Sequence, residues 1–300
     1  MTTTSAPWTV AVLGPGGVGG LAAGLLARAG HRVICLAREE TAAVLGSREL
    51  TVRSGQFGDF EVPVDADTVL RERVDAVLVT PKETGLRSAL ERVPRAVLGD
   101  ALVVPLLNGV EHVDVLRAVY PAEQVVAATI RVESTRTAPG VIEHASPFAM
   151  VELAGATAPA ERVARLGEVL REAGFAARVR EDETAMLWGK MSFLLPLALL
   201  STRYGLTVGE LRDERRDDML AVVDELARVA AAEGVEIDTH ALIGQVDGAP
   251  YGMRSSMQKD AEAGRPLEVD AVGGALLRAA DRHGIAVPVT SGLVTALSGS

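Results

Sequence analysis

Apolar and polar residues follow two different patterns along this chain, and the change comes near residue 180. Before it, short apolar runs of strand character alternate with helical stretches. Residues 10–13 and 33–36 are two such runs, and an Ala- and Leu-rich helical stretch separates them. Because strand, helix and strand in this order make one βαβ unit, the first part predicts an α/β fold with a doubly wound parallel sheet.

Further apolar runs extend this alternation to residue 180. Residues 50–64 are typical of a hairpin-like excursion around Ser54 and Gly55. The remaining predicted elements are strands at 75–80, 101–107, 125–133, 140–153 and 176–180, and helices at 84–93 and 157–173.

Helical periodicity dominates the rest of the chain. Helices are predicted at 184–200, 208–233, 240–246, 254–263 and 267–283. The acidic run Glu181-Asp182-Glu183 marks the junction between the two patterns. We therefore predict two domains, an α/β domain at 1–180 and an all-α domain at 181–300.

A glycine-rich loop, Gly14-Pro15-Gly16-Gly17-Val18-Gly19, joins the first strand to the first helix. Its first glycine allows a tight turn, its second lets the backbone approach a pyrophosphate, and its last lets the helix pack against the strand. A GxGxxG spacing alone is weak evidence, but a strand before it and a helix after it are the required context. The loop predicts dinucleotide binding, and the alternative is a glycine-rich turn without a ligand. The predicted cofactor contacts in the loop are Gly14, Gly16, Gly17, Val18 and Gly19.

The end of the second strand indicates which dinucleotide is bound. An NAD enzyme usually carries an acidic residue there for the ribose 2′-hydroxyl, whereas an arginine accommodates a 2′-phosphate. Arg38 occupies this place, and a guanidinium fork suits a phosphate. We therefore predict NADPH as cofactor, although Glu39 and Glu40 would repel a phosphate if they pointed inward. The alternative is a solvated arginine at the end of a strand.

Two polar positions follow buried strands. Lys82 comes after the strand predicted at 75–80, and Asn108-Gly109 comes after the strand predicted at 101–107. In an open parallel sheet, ligands bind beyond the carboxyl ends of the strands, so both positions are candidate binding residues. The alternatives are a solvated lysine and an ordinary turn signal.

Charge and terminal composition narrow the expected partners and location. The formal net charge of -10 disfavours nucleic acid and anionic membrane surfaces as partners. The N-terminal MTTTSAPW lacks the basic and apolar regions of a signal peptide, and the longest apolar run, 191–200, is shorter than the roughly 20 residues of a membrane span. We expect a cytoplasmic protein. The single cysteine, Cys35, excludes an intrachain disulfide and a cysteine-based metal cluster, and we predict no metal site.

Lysine is scarce in this sequence. Of 30 basic residues, only Lys82, Lys190 and Lys259 are lysines. Because the pKa of an ammonium falls readily on desolvation while that of a guanidinium does not, these three lysines are the candidates for proton chemistry.

Taken together, these motifs make the chain similar to the ketopantoate reductases, also called 2-dehydropantoate 2-reductases, over nearly its whole length. That family pairs an N-terminal Rossmann domain with a C-terminal helical domain of the kind found in 6-phosphogluconate dehydrogenases. The resemblance therefore implies an NADP-binding Rossmann domain at 1–180 and a helical substrate domain at 181–300. It rests on Gly14, Gly16, Gly19, Arg38, Thr80-Pro81-Lys82, Leu107-Asn108-Gly109, Gly140-Val141-Ile142-Glu143-His144, Leu187-Trp188-Gly189-Lys190, Ser255-Ser256-Met257 with Asp260, and Glu268-Val269-Asp270.

The resemblance implies an activity and a set of site residues. The activity is NADPH-dependent reduction of 2-dehydropantoate to pantoate, a step of pantothenate biosynthesis. Lys190 looks like the catalytic lysine and Glu268 like the active-site acid. Asn108 and Ser256 look like substrate contacts, and Lys82, with Asn108, like a cofactor contact. The expected partner is a small 2-oxo acid, and homodimerisation through the helical domain is left open.

The chemistry of these residues supports the same roles. Reduction of a 2-oxo acid brings a hydride to the carbonyl carbon and leaves negative charge on the oxygen. Lys190, flanked by Trp188 and Met191, is expected to be partly desolvated and suited to stabilise and protonate that oxygen. Glu268 follows Pro266 near the start of the last long predicted helix, where it could bond a substrate hydroxyl or orient the lysine. The alternative is a solvated glutamate favoured by the helix dipole.

The chain departs from the family pattern at two positions. Ketopantoate reductases carry asparagines one and two helical turns after the lysine, where this chain has Leu194 and Ala198. Ser201 restores one hydroxyl nearby and is a further candidate substrate contact. Ketopantoate remains the leading substrate, and the alternative is a different, more apolar 2-oxo acid or ketone. An alternative of another class is a non-catalytic, NADPH-binding regulatory protein.

Overall fold

The computed structural model describes residues 6–299, which form two compact units. The N-terminal unit comprises residues up to 107 together with 112–183, and the C-terminal unit comprises 108–111 together with the residues from 184 onward. The division after residue 183 lies close to the junction predicted at 180. The sequence pattern does not indicate that residues 108–111 belong with the helical unit.

The strands of the N-terminal unit form three sheets. The first is a five-stranded parallel sheet in the order β5-β2-β1-β6-β7, the second has the order β4-β3-β10-β9, and the third has the order β12-β11-β8. In the first sheet the chain starts in the middle and builds outward to both sides, which creates a switch point between β1 and β6. The strands are β1 (Thr9–Leu13), β2 (Arg32–Leu36), β3 (Leu50–Ser54), β4 (Phe60–Val62), β5 (Asp65–Asp67), β6 (Ala76–Val79), β7 (Leu102–Pro105), β8 (Ala127–Arg131), β9 (Ser134–Ala138), β10 (Val141–His144), β11 (Met150–Ala154) and β12 (Ala176–Val179).

The prediction of a single strand at 140–153 is wrong. The segment contains two strands, β10 and β11, which belong to different sheets. Pro147 lies between them, and a proline cannot donate a hydrogen bond to a sheet ladder. The hairpin predicted at 50–64 is confirmed, because β3 and β4 pair antiparallel. The exposed and polar strand β9 was not predicted, because an edge strand of this composition has no apolar alternation.

Helices cover the parallel sheet and complete the core of the N-terminal unit. The central strand β1 is buried from Val10 to Leu13, and α1 packs Leu21, Leu25 and Leu26 into the same core. Apolar residues on both faces are expected for a parallel sheet with helices on each side. The helices are α1 (Gly17–Arg28), α2 (Glu39–Ser47), α3 (Leu86–Leu90), α4 (Arg95–Leu98), α5 (His112–Arg117) and α6 (Ala160–Glu172).

The C-terminal unit is helical within the residues that the structure describes. Its central helix, α7, is long and apolar enough to span a membrane by length and composition, but 67% of its apolar window is buried inside the structure. It is therefore the core helix of this unit. The helices are α7 (Glu183–Tyr204), α8 (Val208–Glu214), α9 (Arg216–Ala232), α10 (Thr239–Gly248), α11 (Ser256–Glu262), α12 (Ala275–His283) and α13 (Pro288–Ser298).

Two features of this unit differ from the predicted helices. The helix predicted at 208–233 is broken at Arg215 into α8 and α9. The final helix, α13, was not predicted. Its first turn is capped by Glu225 of α9, a buried carboxylate that accepts hydrogen bonds from the backbone N–H groups of Val289 and Thr290 at 2.8 Å each. A cap supplied from 65 residues away leaves no local signal in the sequence.

Candidate active site

The glycine-rich loop from Gly14 to Gly19, called the phosphate loop below, adopts the conformations that the motif predicts. Gly14 has a φ of +82°, in the region that favours glycine, and its N–H donates to Leu36 O at 3.0 Å. A Cβ at Gly19 would overlap Thr80 Oγ1 and Gly14 O, so α1 packs directly on the end of β1. The tight turn at Gly14 and the close packing at Gly19 are thus confirmed.

The second and third glycines have different surroundings. A Cβ at Gly16 would meet only Gly14 O, at 3.8 Å, so the backbone there is open to an approaching group. A Cβ at Gly17 would overlap Ser134 O, so this glycine makes room for β9. The first turn of α1 carries no acidic residue and has no side-chain cap, which leaves it suited to an anion. The loop therefore fits a dinucleotide pyrophosphate, while the contacts predicted for Gly17 and for the half-buried Val18 stay predictions.

Two exposed cations flank this loop. Arg38 follows β2 and is the N-cap residue of α2, and Lys82 follows β6 just before a short 3₁₀ turn. Because β2 and β6 are the two neighbours of β1, these cations lie beyond the strand ends on either side of the phosphate loop. This is the edge at which ligands of parallel sheets bind.

In the C-terminal unit, Asn108 and Glu268 lie side by side. Asn108 Nδ2 donates a hydrogen bond to Glu268 Oε2 at 3.3 Å, joining residues 160 positions apart. Glu268 is half-buried and precedes its helix, which begins at Val269 with a π-helical turn, Asp270–Gly274, and continues as α12. Glu268 thus lies at the start of the helix predicted at 267–283, as expected, and the shorter α13 follows that helix. π-helical turns occur frequently at functional sites.

Backbone packing holds Asn108 in this position. Gly109 has a φ of +89°, and a Cβ there would overlap Ala271 O, the carbonyl of a residue in the π-helical turn. Any other residue would push the segment away from the turn. The backbone of Gly109 thus approaches the π-helical turn next to Glu268, and only glycine permits that approach.

An ion-pair network fastens the same segment to α12. Arg278 donates to Glu111 at 2.7 Å through Nη2 and to Asp270 at 2.7 Å through Nη1. These two carboxylates raise the pKa of Arg278. These contacts could not be predicted from the sequence, because Glu111 and Arg278 are 167 positions apart and each has the character of an ordinary solvated side chain.

Lys190 lies in the core helix α7 and is buried, with only 8% of its surface exposed. A lysine is rarely this buried, which agrees with the desolvation predicted from its apolar neighbours. Ala198 on the same helix face is buried, and Leu194 is half-buried. This face therefore carries apolar side chains one and two turns after the lysine.

Three neighbouring serines of this unit, Ser201, Ser255 and Ser256, have different environments. Ser201 has no exposed surface, and its hydroxyl hydrogen-bonds with Ser255 Oγ at 2.7 Å. Ser255 in turn caps α11 by accepting from the backbone N–H of Gln258 at 3.1 Å. Ser256 is exposed at the first position of α11. Ser256 is therefore open to a substrate, whereas Ser201 contacts its neighbour serine and has no solvent exposure, and both predicted substrate contacts stay predictions.

His144 and Cys35, two potentially reactive residues of the N-terminal unit, have structural roles. His144 is buried, bonds to Ser54 Oγ at 2.9 Å and stacks on Phe57. Cys35 is buried in β2, and this burial raises the pKa of its thiol to about 12. Its thiolate is not formed at neutral pH, as expected for a small core residue. Within residues 6–299 no group of three His, Cys, Asp or Glu side chains could hold a metal ion.

The comparisons with known proteins cover both units. The family model described as ketopantoate reductase PanE/ApbA matches residues 10–153, and the model of its C-terminal part matches residues 182–299. The 2-dehydropantoate 2-reductase of Mycobacterium tuberculosis (strain ATCC 25618 / H37Rv) is 30% identical over 301 residues, which cover 96% of each chain. The chain belongs to the ketopantoate reductase family.

Solved structures agree with this assignment. A PanE/ApbA family ketopantoate reductase from Ralstonia eutropha JMP134 is 29% identical, with a TM-score of 0.86 and 96% of each chain covered. The ternary structure of D-mandelate dehydrogenase with NADH and anilino(oxo)acetate has a TM-score of 0.88 over 97% of each chain. Its identity is 20%, so this likeness shows the fold alone.

Membership of the ketopantoate reductase family confirms several predictions. The fold is a parallel α/β sheet domain followed by a helical domain, and the protein is an oxidoreductase that acts on a CH–OH group. Its cofactor is a nicotinamide dinucleotide and its substrate a small 2-oxo acid. The alternative of a non-catalytic regulatory protein is therefore set aside.

Proposed function

We propose that this protein reduces 2-dehydropantoate to pantoate with NADPH as the hydride donor. The observation that carries the proposal is the hydrogen bond between Asn108 and Glu268, in the same unit that buries Lys190. An amide, a carboxylate and a desolvated ammonium are the groups that reduction of a hydroxylated 2-oxo acid requires.

The proposed cofactor contacts lie at one edge of the N-terminal unit. The phosphate loop from Gly14 to Gly19 would hold the pyrophosphate, and Arg38 would bind the 2′-phosphate that distinguishes NADPH from NADH. Lys82, beyond the next strand, adds a second positive charge. A bound nicotinamide supplies the hydride that reaches the carbonyl carbon of the substrate.

Lys190 provides the proton. As the carbonyl carbon gains a hydride, its oxygen becomes an alkoxide, and the ammonium of Lys190 stabilises this charge and transfers one proton from Nζ to the oxygen. The resulting amine regains a proton from solvent. Burial strengthens the electrostatic part of this role, because an ammonium with little water around it interacts more strongly with a developing anion.

Asn108 and Glu268 orient the substrate. The amide of Asn108 fixes one carboxylate oxygen of Glu268, so that the carboxylate presents a defined direction to a substrate hydroxyl, which donates to it. Ser256, exposed at the start of α11, is the proposed second substrate contact.

A homodimer through the helical unit and a cytoplasmic location remain predictions.

The helix face after Lys190 bears on substrate choice. Because Leu194 and Ala198 are apolar, we expect the enzyme to discriminate weakly between 2-dehydropantoate and 2-oxoisovalerate (ketoisovalerate), which has similar branching but no hydroxyl. An apolar pocket separates such analogues by about a hundredfold or less in kcat/KM, whereas a site built to bond the hydroxyl separates them by about 10,000-fold. A more apolar 2-oxo acid or ketone is therefore the second candidate substrate.

The test measures NADPH consumption with a panel of 2-oxo acids, with the 2-hydroxy acid product identified in each case. Leu194→Asn should shift preference toward 2-dehydropantoate, and Leu194→Met is the matched control because it keeps the volume without an amide. If the unmutated enzyme has a kcat/KM for 2-dehydropantoate several thousandfold above that for 2-oxoisovalerate, and Leu194→Asn does not change this ratio, the helix face does not contact the substrate. If no 2-oxo acid of the panel supports consumption of NADPH, the proposed function itself is contradicted.

A further inference from the structure

The edge strand β9 connects the phosphate loop with the second helix. At its start, Ser134 Oγ donates to Gly17 O at 2.9 Å, at the first residue of α1. Just past its end, Pro139 O accepts from Arg48 Nη2 at 3.2 Å, at the C-terminus of α2. The strand therefore runs from the beginning of α1 along α2.

Arg136 lies on this strand two residues after Ser134. Residues two apart point to the same face of a strand, about 6 to 7 Å from each other. Arg136 Nη1 donates to Thr41 Oγ1 at 3.4 Å, and Thr41 belongs to the first turn of α2. The guanidinium is thus held at the first turn of α2, whose N-cap residue is Arg38.

This place matches the path of a bound dinucleotide. In a Rossmann fold a bound dinucleotide would place its pyrophosphate at the N-terminus of α1 and its adenosine ribose at the end of β2, so the 2′-substituent would lie near the start of α2. We propose that Arg136 is a second guanidinium for the 2′-phosphate of NADPH, acting with Arg38. This inference rests on the cofactor of the proposed function.

The local charges explain why one arginine would be insufficient. Glu39 and Glu40 are exposed in the first turn of α2, directly after Arg38. Charges within a Debye length of about 10 Å at 0.1 M salt are not fully screened, so two carboxylates outweigh a single guanidinium toward a phosphate. With Arg136 the two signs balance, and bidentate hydrogen bonds from both forks then favour the phosphate.

The existing contact of Arg136 leaves it suited to a ligand. Its bond to Thr41 is long for an N–H···O hydrogen bond and engages one of the five N–H donors of the guanidinium. The side chain is exposed, so a phosphate could reach the other donors. The hydroxyl of Thr41 positions the fork without occupying it.

The experiment measures the dissociation constants of NADPH and NADH by fluorescence titration. We expect Arg136→Gln to weaken NADPH binding by about 10- to 100-fold, the range of one charge-assisted hydrogen bond, and to leave the affinity for NADH unchanged. Arg136→Lys should keep part of the preference for NADPH over NADH, because lysine retains the positive charge. The matched control is Arg48→Gln, because Arg48 lies at the other end of α2 and bonds to the same hairpin; it should change neither affinity.

Two further variants separate the possible outcomes. If Arg136 only ties β9 to α2, Thr41→Val should have the same effect as Arg136→Gln, and both variants should lower the affinities for NADPH and NADH together. That result overturns the inference. A preference for NADPH that survives Arg136→Gln but is lost in Arg38→Ala also overturns it, while leaving the proposed cofactor intact. Equal affinities of the unmutated protein for both nucleotides would instead contradict the cofactor of the proposed function, and the inference with it.

Discussion

Lys190→Ala is expected to lower kcat by about 100- to 10,000-fold, the range for loss of a positioned acid, while the affinity for NADPH stays unchanged. The reason is that Lys190, which is buried, is proposed to supply both the charge and the proton that the forming alkoxide requires. Steady-state kinetics with the preferred 2-oxo acid, together with NADPH titration, measures the two quantities separately.

Lys190→Arg makes the same test sharper. Arginine keeps the positive charge but loses the compact shape and, in practice, the transferable proton, so we expect it to be nearly as damaging as alanine. Lys259→Ala is the control, because Lys259 is another of the few lysines and belongs to the same unit, on α11. It should leave kcat near the unmutated value. Near-normal turnover of Lys190→Ala would remove this lysine from the chemical step.

Glu268→Gln is expected to lower kcat/KM for 2-dehydropantoate by about 10- to 100-fold, mainly through a higher KM. Glutamine has nearly the same shape and can still accept a hydrogen bond from Asn108, so the loss isolates the negative charge that would bind the substrate hydroxyl. The same variant should change kcat/KM for 2-oxoisovalerate much less, because that acid has no hydroxyl.

The comparison between the two acids is the control for Glu268. An equal loss with both substrates would show that the carboxylate acts on the lysine or on the fold instead of the hydroxyl. Thermal unfolding of the variant should match that of the unmutated protein, since glutamine preserves the packing next to the π-helical turn.

The fold could be predicted wherever the pattern is local. β1, α1 and β2 each bury a continuous apolar face, and the tight turn at Gly14 depends on the positive φ of a single residue. The same reasoning failed at 140–153, where an apolar run belongs to two sheets, and at β9, an exposed edge strand. Its polar side chains carry no period, because no face of it is buried.

The candidate site was predictable as a set of residues but not as an arrangement. Lys190 could be recognised from the scarcity of lysine and its apolar neighbours, and its burial agrees with that reasoning. The pairing of Asn108 with Glu268 depends on Gly109 meeting the π-helical turn and on the ion pairs of Arg278. These contacts join positions about as far apart as half of the chain, so no local pattern records them.

The most direct test of the proposed function follows the hydrogen itself. The enzyme is given NADPH carrying deuterium at the transferring position of the nicotinamide, together with 2-dehydropantoate, and the product is analysed by mass spectrometry and NMR. We predict pantoate with one deuterium on C2, formed at a rate that Lys190→Ala reduces by about 100-fold or more. Recovery of unreduced 2-dehydropantoate and unconsumed NADPH, from a protein that binds the nucleotide, would contradict the account.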